Sequence, residues 1–188
     1  VITTDETGRA GKIIRKPKEH WLIKWQSLLS IPLFHPTVMT RAETLKQNPF
    51  DENLHNSEDY ELWSRLLFTT PAKFANLKEG LLKYRAFPQS FTQNLKTEKR
   101  EASAINTIRN IERYFPLTDK VKTLLISLRK EEQLGIDDLR KIYFTYFRVA
   151  WKFRQAEHLS FLKTLKLYWS LRQFKCFIFK YYLKQFLK

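Results

Sequence analysis

Residues 56–63 read Asn-Ser-Glu-Asp-Tyr-Glu-Leu-Trp, and this stretch decides how the first half of the chain is interpreted. Asn56 or Ser57 is a natural N-cap, and acidic side chains in the turn that follows interact favourably with the positive end of a helix dipole. The apolar residues that come next recur at helical spacing, and they are Leu62, Trp63, Leu66 and Leu67. The stretch therefore predicts a short amphipathic helix with an acidic pair, Glu58 and Asp59, at its start.

Two further segments flank this helix along the chain. His35-Pro36-Thr37-Val38-Met39 precedes it, and Leu81-Leu82-Lys83-Tyr84-Arg85 follows it, with Pro88, Ser90 and Thr92 beyond. In their order and spacing the three segments resemble the second half of the catalytic domain of inverting family 2 glycosyltransferases. These are GT-A type enzymes that use nucleotide-activated sugars. The resemblance covers residues 1–92 and does not extend to the rest of the chain.

The resemblance implies an α+β fragment. Residues 1–92 would be the acceptor-side half of a Rossmann-like GT-A domain, and residues 93–188 a basic, aromatic-rich, mainly α-helical extension. The half that carries the nucleotide pocket and the metal-binding Asp pair is not expected in this chain, which opens at Val1 rather than Met. A divalent metal, Mg²⁺ or Mn²⁺, is expected in the full-length enzyme with ligands mostly outside this chain, so the isolated chain is expected to be inactive.

Glycosyl transfer with inversion needs a base, because the acceptor hydroxyl is a poor nucleophile. The resemblance gives this role to Asp59 and places Glu58, His35 and Arg85 around the acceptor; Arg41 could also meet an anion. No metal site is predicted here, although His35 could ligate a metal, since in some GT-A enzymes a later His completes the metal sphere. The structural alternatives are that the acidic pair only caps a helix and that His35 only makes hydrogen bonds.

Hydrophobic periodicity predicts the remaining elements. Strands are predicted in residues 1–5, 37–40, 73–77 and 81–85, and polar loops in 5–18 and 48–56. Helices are predicted over 19–30, 41–46, 93–115, 119–133, 137–156 and 159–187.

The positive charge of the chain is concentrated near its end. Of the net charge of +15, residues 139–188 contribute 12 Lys or Arg against one acid, Glu157, and they contain 15 of the 28 aromatic residues. From Leu159 onward charges recur too often for a transmembrane span. Basic and aromatic residues side by side are typical of a helix at the water–lipid interface. A packed bundle with a lysine-rich face and a nucleic-acid surface remain the alternatives.

The resemblance implies an enzyme that transfers a sugar from a nucleotide-sugar donor to a glycan or lipid-linked acceptor, in the synthesis of surface polysaccharide or lipopolysaccharide. The single Cys176, among apolar residues, cannot form an internal disulfide and is compatible with a reducing cytoplasm. The expected location is cytoplasmic, peripheral on the inner face of the membrane through residues 159–188. The alternative hypothesis, from a different functional class, is a non-enzymatic basic helical module that binds nucleic acid or a protein partner.

Overall fold

The structure is a computed structural model that describes residues 1–54, 56–85 and 96–186, with side chains as far as Phe174 apart from Lys96 and Gln173. It divides into two compact units, Val1–Asn106 and Thr107–Lys188. The assignment of residues 1–92 and 93–188 to a catalytic half and an extension stays a prediction. The predictions for Pro88, Ser90 and Thr92, and for the surroundings of Cys176, lie outside the described residues.

A small mixed sheet lies in the first unit. Its strands are β1 (Ile2–Thr4), β2 (Ala10–Ile13) and β3 (Lys83–Arg85), in the order β2-β1-β3. Strand β1 pairs antiparallel with β2 and parallel with β3. The predicted strands at the start of the chain and within 81–85 are confirmed. The prediction of a loop over 5–18 is wrong for β2, because pairing with β1 orders a segment that is polar and exposed on its own.

Among the described residues, four α-helices begin in the first unit: α1 (His20–Gln26), α2 (Ala42–Gln47), α3 (Glu58–Thr69) and α4 (Lys96–Glu112), of which α4 ends in the second unit. The helices predicted over 19–30, 41–46 and from residue 58 are confirmed, with shorter ends. The core of this unit lies between α1 and α3. Its largest buried side chains are Trp25, Trp63, Tyr60, Ile23, Leu28, Leu62 and Leu66. The predicted apolar face of α3 is therefore confirmed.

Two predicted strands are absent from the described chain. Residues His35–Thr37 form a 3₁₀ turn, closed by backbone hydrogen bonds of 2.9 Å from the Thr37 N–H to the Phe34 carbonyl and 3.1 Å from the Val38 N–H to the His35 carbonyl. Residues 73–77 are irregular, and the Phe74 N–H donates to His20 Nδ1 at 3.1 Å. In both cases local or side-chain partners satisfy backbone groups that a strand would pair with a neighbouring strand.

The second unit is helical, with α5 (Asp119–Lys130), α6 (Ile136–Ala156) and α7 (Phe161–Phe186) following the end of α4. The four helices predicted beyond residue 93 are thus confirmed. Contacts between α6 and α7 run in opposite chain directions, since Arg154 Nε donates to Thr164 Oγ1 at 3.2 Å and the Tyr146 and Phe174 rings lie 4.7 Å apart. The two helices form an antiparallel hairpin.

Across the described ranges the chain has seven α-helices and three strands, so the predicted α+β class is confirmed. Within these residues no helix has both the length and the apolarity needed to cross a membrane.

Candidate functional site

The acidic pair begins helix α3 on an unusual backbone. Ser57 is the N-cap residue, as predicted, but its side chain makes no capping hydrogen bond. Asn56 and Ser57 instead have left-handed φ values of 74° and 64°. Two successive non-glycine residues in this region carry conformational strain, which is common at functional sites.

The strained turn is held from another part of the same unit. The Ser57 carbonyl accepts a 3.1 Å hydrogen bond from the Glu61 N–H and a second, also of 3.1 Å, from the Asn106 side-chain amide on α4. Asn106 is buried. The sequence interpretation missed this residue. The available signal was Asn106 and Asn110, polar residues four apart on a helix that also buries Ile108 and Ile111.

Asp59 is a half-buried carboxylate whose Oδ1 accepts a 2.8 Å hydrogen bond from the Tyr60 N–H. Burial raises the pKa of Asp59 above its ordinary value of 3.8, and the negative charge of Glu58 raises it further. The Tyr60 hydrogen bond and the positive charge of His35 act against this increase in the pKa. A poorly solvated carboxylate with a raised pKa is suited to accepting a proton from a hydroxyl group.

His35 lies close enough to Asp59 for its charge to lower the pKa of the Asp59 carboxyl group. The structure therefore brings His35 near the acidic pair Glu58 and Asp59. Glu58 and His35 are exposed. The His35 ring centre is 5.9 Å from that of Trp63. Trp63 is buried, and within the described residues its indole N–H has no hydrogen-bond partner. An unpartnered buried donor costs about 1–3 kcal/mol.

A broad cleft of about 1080 Å³ lies next to this cluster in the first unit, and both Pro36 and Trp63 line it. Its charged lining is mostly basic and includes one acid, Glu79. The basic residues are Arg15, Lys16, Arg41, Lys73 and Lys78. Lys16 Nζ donates to the Ile31 carbonyl at 2.8 Å, and burial lowers the pKa of this amine. The cleft has the size of a small-molecule site and a lining that suits an anionic ligand.

Arg85 is exposed on strand β3, where it pairs in register with Thr4. Among the described contacts, none joins Arg85 to Asp59 or His35, and Arg85 does not line the cleft. The structure therefore does not bring Arg85 to the acidic cluster, and its contact with an acceptor stays a prediction.

Within the described residues, no group of three or more His, Cys, Asp or Glu side chains comes close enough together to hold an ion. Mg²⁺ is commonly held by one or two carboxylates together with the phosphates of a substrate, so the metal expected in the full-length enzyme stays a prediction. No chemical step is assigned to a metal in this part of the chain.

Part of the sequence is similar to a glycosyltransferase. Over 51 residues, 27% of this chain, it is 41% identical to a Methanocaldococcus jannaschii protein named "Uncharacterized glycosyltransferase MJ1057". The matched stretch spans only 17% of the length of that relative. No protein-family model matches the chain, and no solved structure does. The comparison thus supports glycosyl transfer in general terms.

Proposed function

We propose that this chain forms the acceptor side of an inverting, family 2-like glycosyltransferase of GT-A fold, with Asp59 as the general base. The observation that carries the proposal is the environment of Asp59: a half-buried carboxylate of raised pKa on the first turn of α3. Trp63, four residues later and on the same face of that helix, lines the basic cleft. The similarity to a glycosyltransferase supports glycosyl transfer in general, while the family, the GT-A fold and inversion are part of the proposal.

In the proposed reaction, the oxygen of an acceptor hydroxyl attacks the anomeric carbon of the donor sugar. The hydroxyl proton passes to a carboxylate oxygen of Asp59 as the new bond forms. The bond from the anomeric carbon to the nucleoside diphosphate breaks in the same displacement, which inverts the configuration. Glu58 and His35 adjust the basicity of Asp59 through their opposite charges. The donor and a divalent metal would be held by residues outside this chain.

The cleft suggests the class of acceptor. Its cationic side chains alternate with apolar ones such as Leu33, Phe34 and Leu81. A glycan linked to lipid through phosphate would combine an anionic group with an apolar one, and both would find partners there. We therefore propose a lipid-linked glycan acceptor at the cytoplasmic leaflet, in the synthesis of a surface polysaccharide or lipopolysaccharide.

The decisive experiment replaces Asp59 in the full-length protein and measures transfer from a panel of nucleotide-sugars. Asp59→Asn keeps a hydrogen-bond acceptor for the Tyr60 N–H but removes the base, so the rate is expected to fall about 100- to 10,000-fold. Glu43→Gln is the matched control, since Glu43 also lies in the first turn of a helix in this unit. A variant at Asp59 with near-normal turnover would remove it from this role.

A second experiment concerns the donor. The 188-residue chain alone is expected neither to transfer sugar nor to bind a nucleotide-sugar tightly with metal, because the proposal places the nucleotide pocket and the metal ligands on residues outside this chain. Titration calorimetry with UDP- and GDP-sugars in the presence of Mg²⁺ or Mn²⁺ measures this directly. Metal-dependent binding in the micromolar range would show that the donor site lies within residues 1–188.

A further inference from the structure

The outer face of the α6–α7 hairpin exposes large apolar side chains. Trp169 is 60% exposed and Phe144 is 63% exposed, values that are unusual for such residues. The exposed set consists of Phe144, Phe147 and Trp151 on α6 and Phe161, Leu162, Leu165 and Trp169 on α7.

These side chains form one continuous surface. On α6 they recur at intervals of three or four residues, and on α7 Phe161, Leu165 and Trp169 are four apart with Leu162 next to Phe161, which places each set on one side of its helix. The opposite side is the buried one, with Val149 and Phe153 on α6 and Leu167 on α7. The rings of Phe147 and Tyr168 lie 5.5 Å apart and join the exposed residues of the two helices. We call this surface the aromatic face.

Cations surround the aromatic face. Residues 139–174 contain eight Lys or Arg and one acid, Glu157. Lys152 Nζ lies 5.2 Å from the centre of the Trp151 ring. Long basic side chains of this kind can lie along apolar surface while their charged ends reach toward an anionic layer.

The composition of the face distinguishes between occupants. A second copy of the chain would bring two strongly positive faces together, which is electrostatically unfavourable. Nucleic acid would use the cations and stack on the rings, but it offers nothing to Leu162 and Leu165. An anionic bilayer surface offers phosphate groups to the cations and a hydrocarbon boundary to both leucines and aromatics.

We infer that the aromatic face docks on an anionic lipid bilayer, with Trp151, Leu165 and Trp169 entering the boundary between headgroups and acyl chains. Both helices contribute, so the docking surface is wider than α7 alone. This inference is independent of glycosyl transfer, because it depends on residues of the second unit only.

Sedimentation of the 188-residue chain with vesicles tests the inference. We expect binding to vesicles of phosphatidylcholine with phosphatidylglycerol and little binding to pure phosphatidylcholine. Replacing Leu165 and Trp169 together by Ser is expected to weaken binding about tenfold or more, because the bilayer would no longer bury two large apolar side chains. Leu77→Ser is the control, because Leu77 is 71% exposed and belongs to the first unit, not to the aromatic face.

The depth to which the tryptophan side chains enter the bilayer is measured separately. Lipids brominated on the acyl chain quench the fluorescence of nearby indoles. The quenching is expected to disappear when Trp151 and Trp169 are both replaced by Phe, while binding persists. The inference would be overturned if the folded protein does not bind anionic vesicles, or if Leu77→Ser loses as much vesicle binding as the substitutions at Leu165 and Trp169. Release of the bound protein by competing duplex DNA at physiological salt would also overturn it. So would a dimer that the Leu165 and Trp169 substitutions dissociate, since the face would then be a protein interface.

Discussion

The side-chain amide of Asn106 donates a 3.1 Å hydrogen bond to the carbonyl oxygen of Ser57, 49 residues away along the chain. The same carbonyl accepts the first hydrogen bond of helix α3, from the Glu61 N–H. Helix α4 therefore holds the turn that places Asp59. Ser57 makes no side-chain capping hydrogen bond, so the Asn106 contact is a long-range tie on the backbone of the turn where α3 begins.

Replacing Asn106 is expected to loosen the start of α3. In Asn106→Ala a buried donor is lost and the strained turn is no longer held, so the free energy of unfolding is expected to fall by about 1–3 kcal/mol. Hydrogen exchange at the amides of residues 59–61 is expected to accelerate more than exchange elsewhere in the first unit. Ile105→Ala, at an exposed neighbour on the same helix, is the control. Equal exchange in both variants would contradict the positioning role.

The raised pKa of Asp59 predicts a pH dependence of stability. The folded protein keeps the Asp59 proton to a higher pH than the unfolded chain does, so the stability contributed at this position falls as pH rises from 3.8 through the folded pKa. Asp59→Asn is expected to be the more stable protein at neutral pH, and this difference is expected to vanish below pH 3.8. Urea denaturation of both proteins across this range is the measurement. An Asp59→Asn protein that is no more stable than the unsubstituted protein at neutral pH would contradict it.

Two neighbours of Asp59 are expected to move its pKa in opposite directions. His35→Gln removes a positive charge that lowers the pKa, so the pKa of Asp59 is expected to rise. Glu58→Gln removes a negative charge that raises it, so the pKa is expected to fall. Each variant is the control for the other, and carbon NMR of the Asp59 carboxyl group follows the titration without any substrate. A shift of the same sign in both would show that structural change, and not charge, is responsible.

Gly80 permits the close approach of β1 and the segment that leads into β3. A Cβ at this position would lie 2.7 Å from Ile2 Cγ1, which is too close. Gly80→Ala is therefore expected to displace Ile2 and destabilise the sheet by about 1–3 kcal/mol. Glu79→Ala, at an exposed neighbouring position, is expected to change stability by less than about 0.5 kcal/mol. Thermal denaturation compares the two, and equal melting temperatures would contradict the packing argument.

Local pattern was sufficient for the helices. Acidic residues at the start of α3 and apolar residues at helical spacing in α3, α6 and α7 predicted elements that the structure contains. The acidic pair and the His35 segment were also found in the sequence, and the structure places their side chains near one another. The helices depend on residues within a few turns of one another, where side-chain spacing determines which face is apolar.

Tertiary structure alone decided the rest. Strand β2, Ala-Gly-Lys-Ile, is short and exposed, so only its pairing with β1 reveals it. Residues 73–77 were predicted as a strand, yet they bond to His20 and Pro17 instead. The contact of Asn106 with Ser57 and the joining of α6 and α7 into one aromatic face likewise bring together residues far apart in the chain. Non-local hydrogen bonds and packing leave no periodic trace in a sequence, because either partner alone is compatible with many environments.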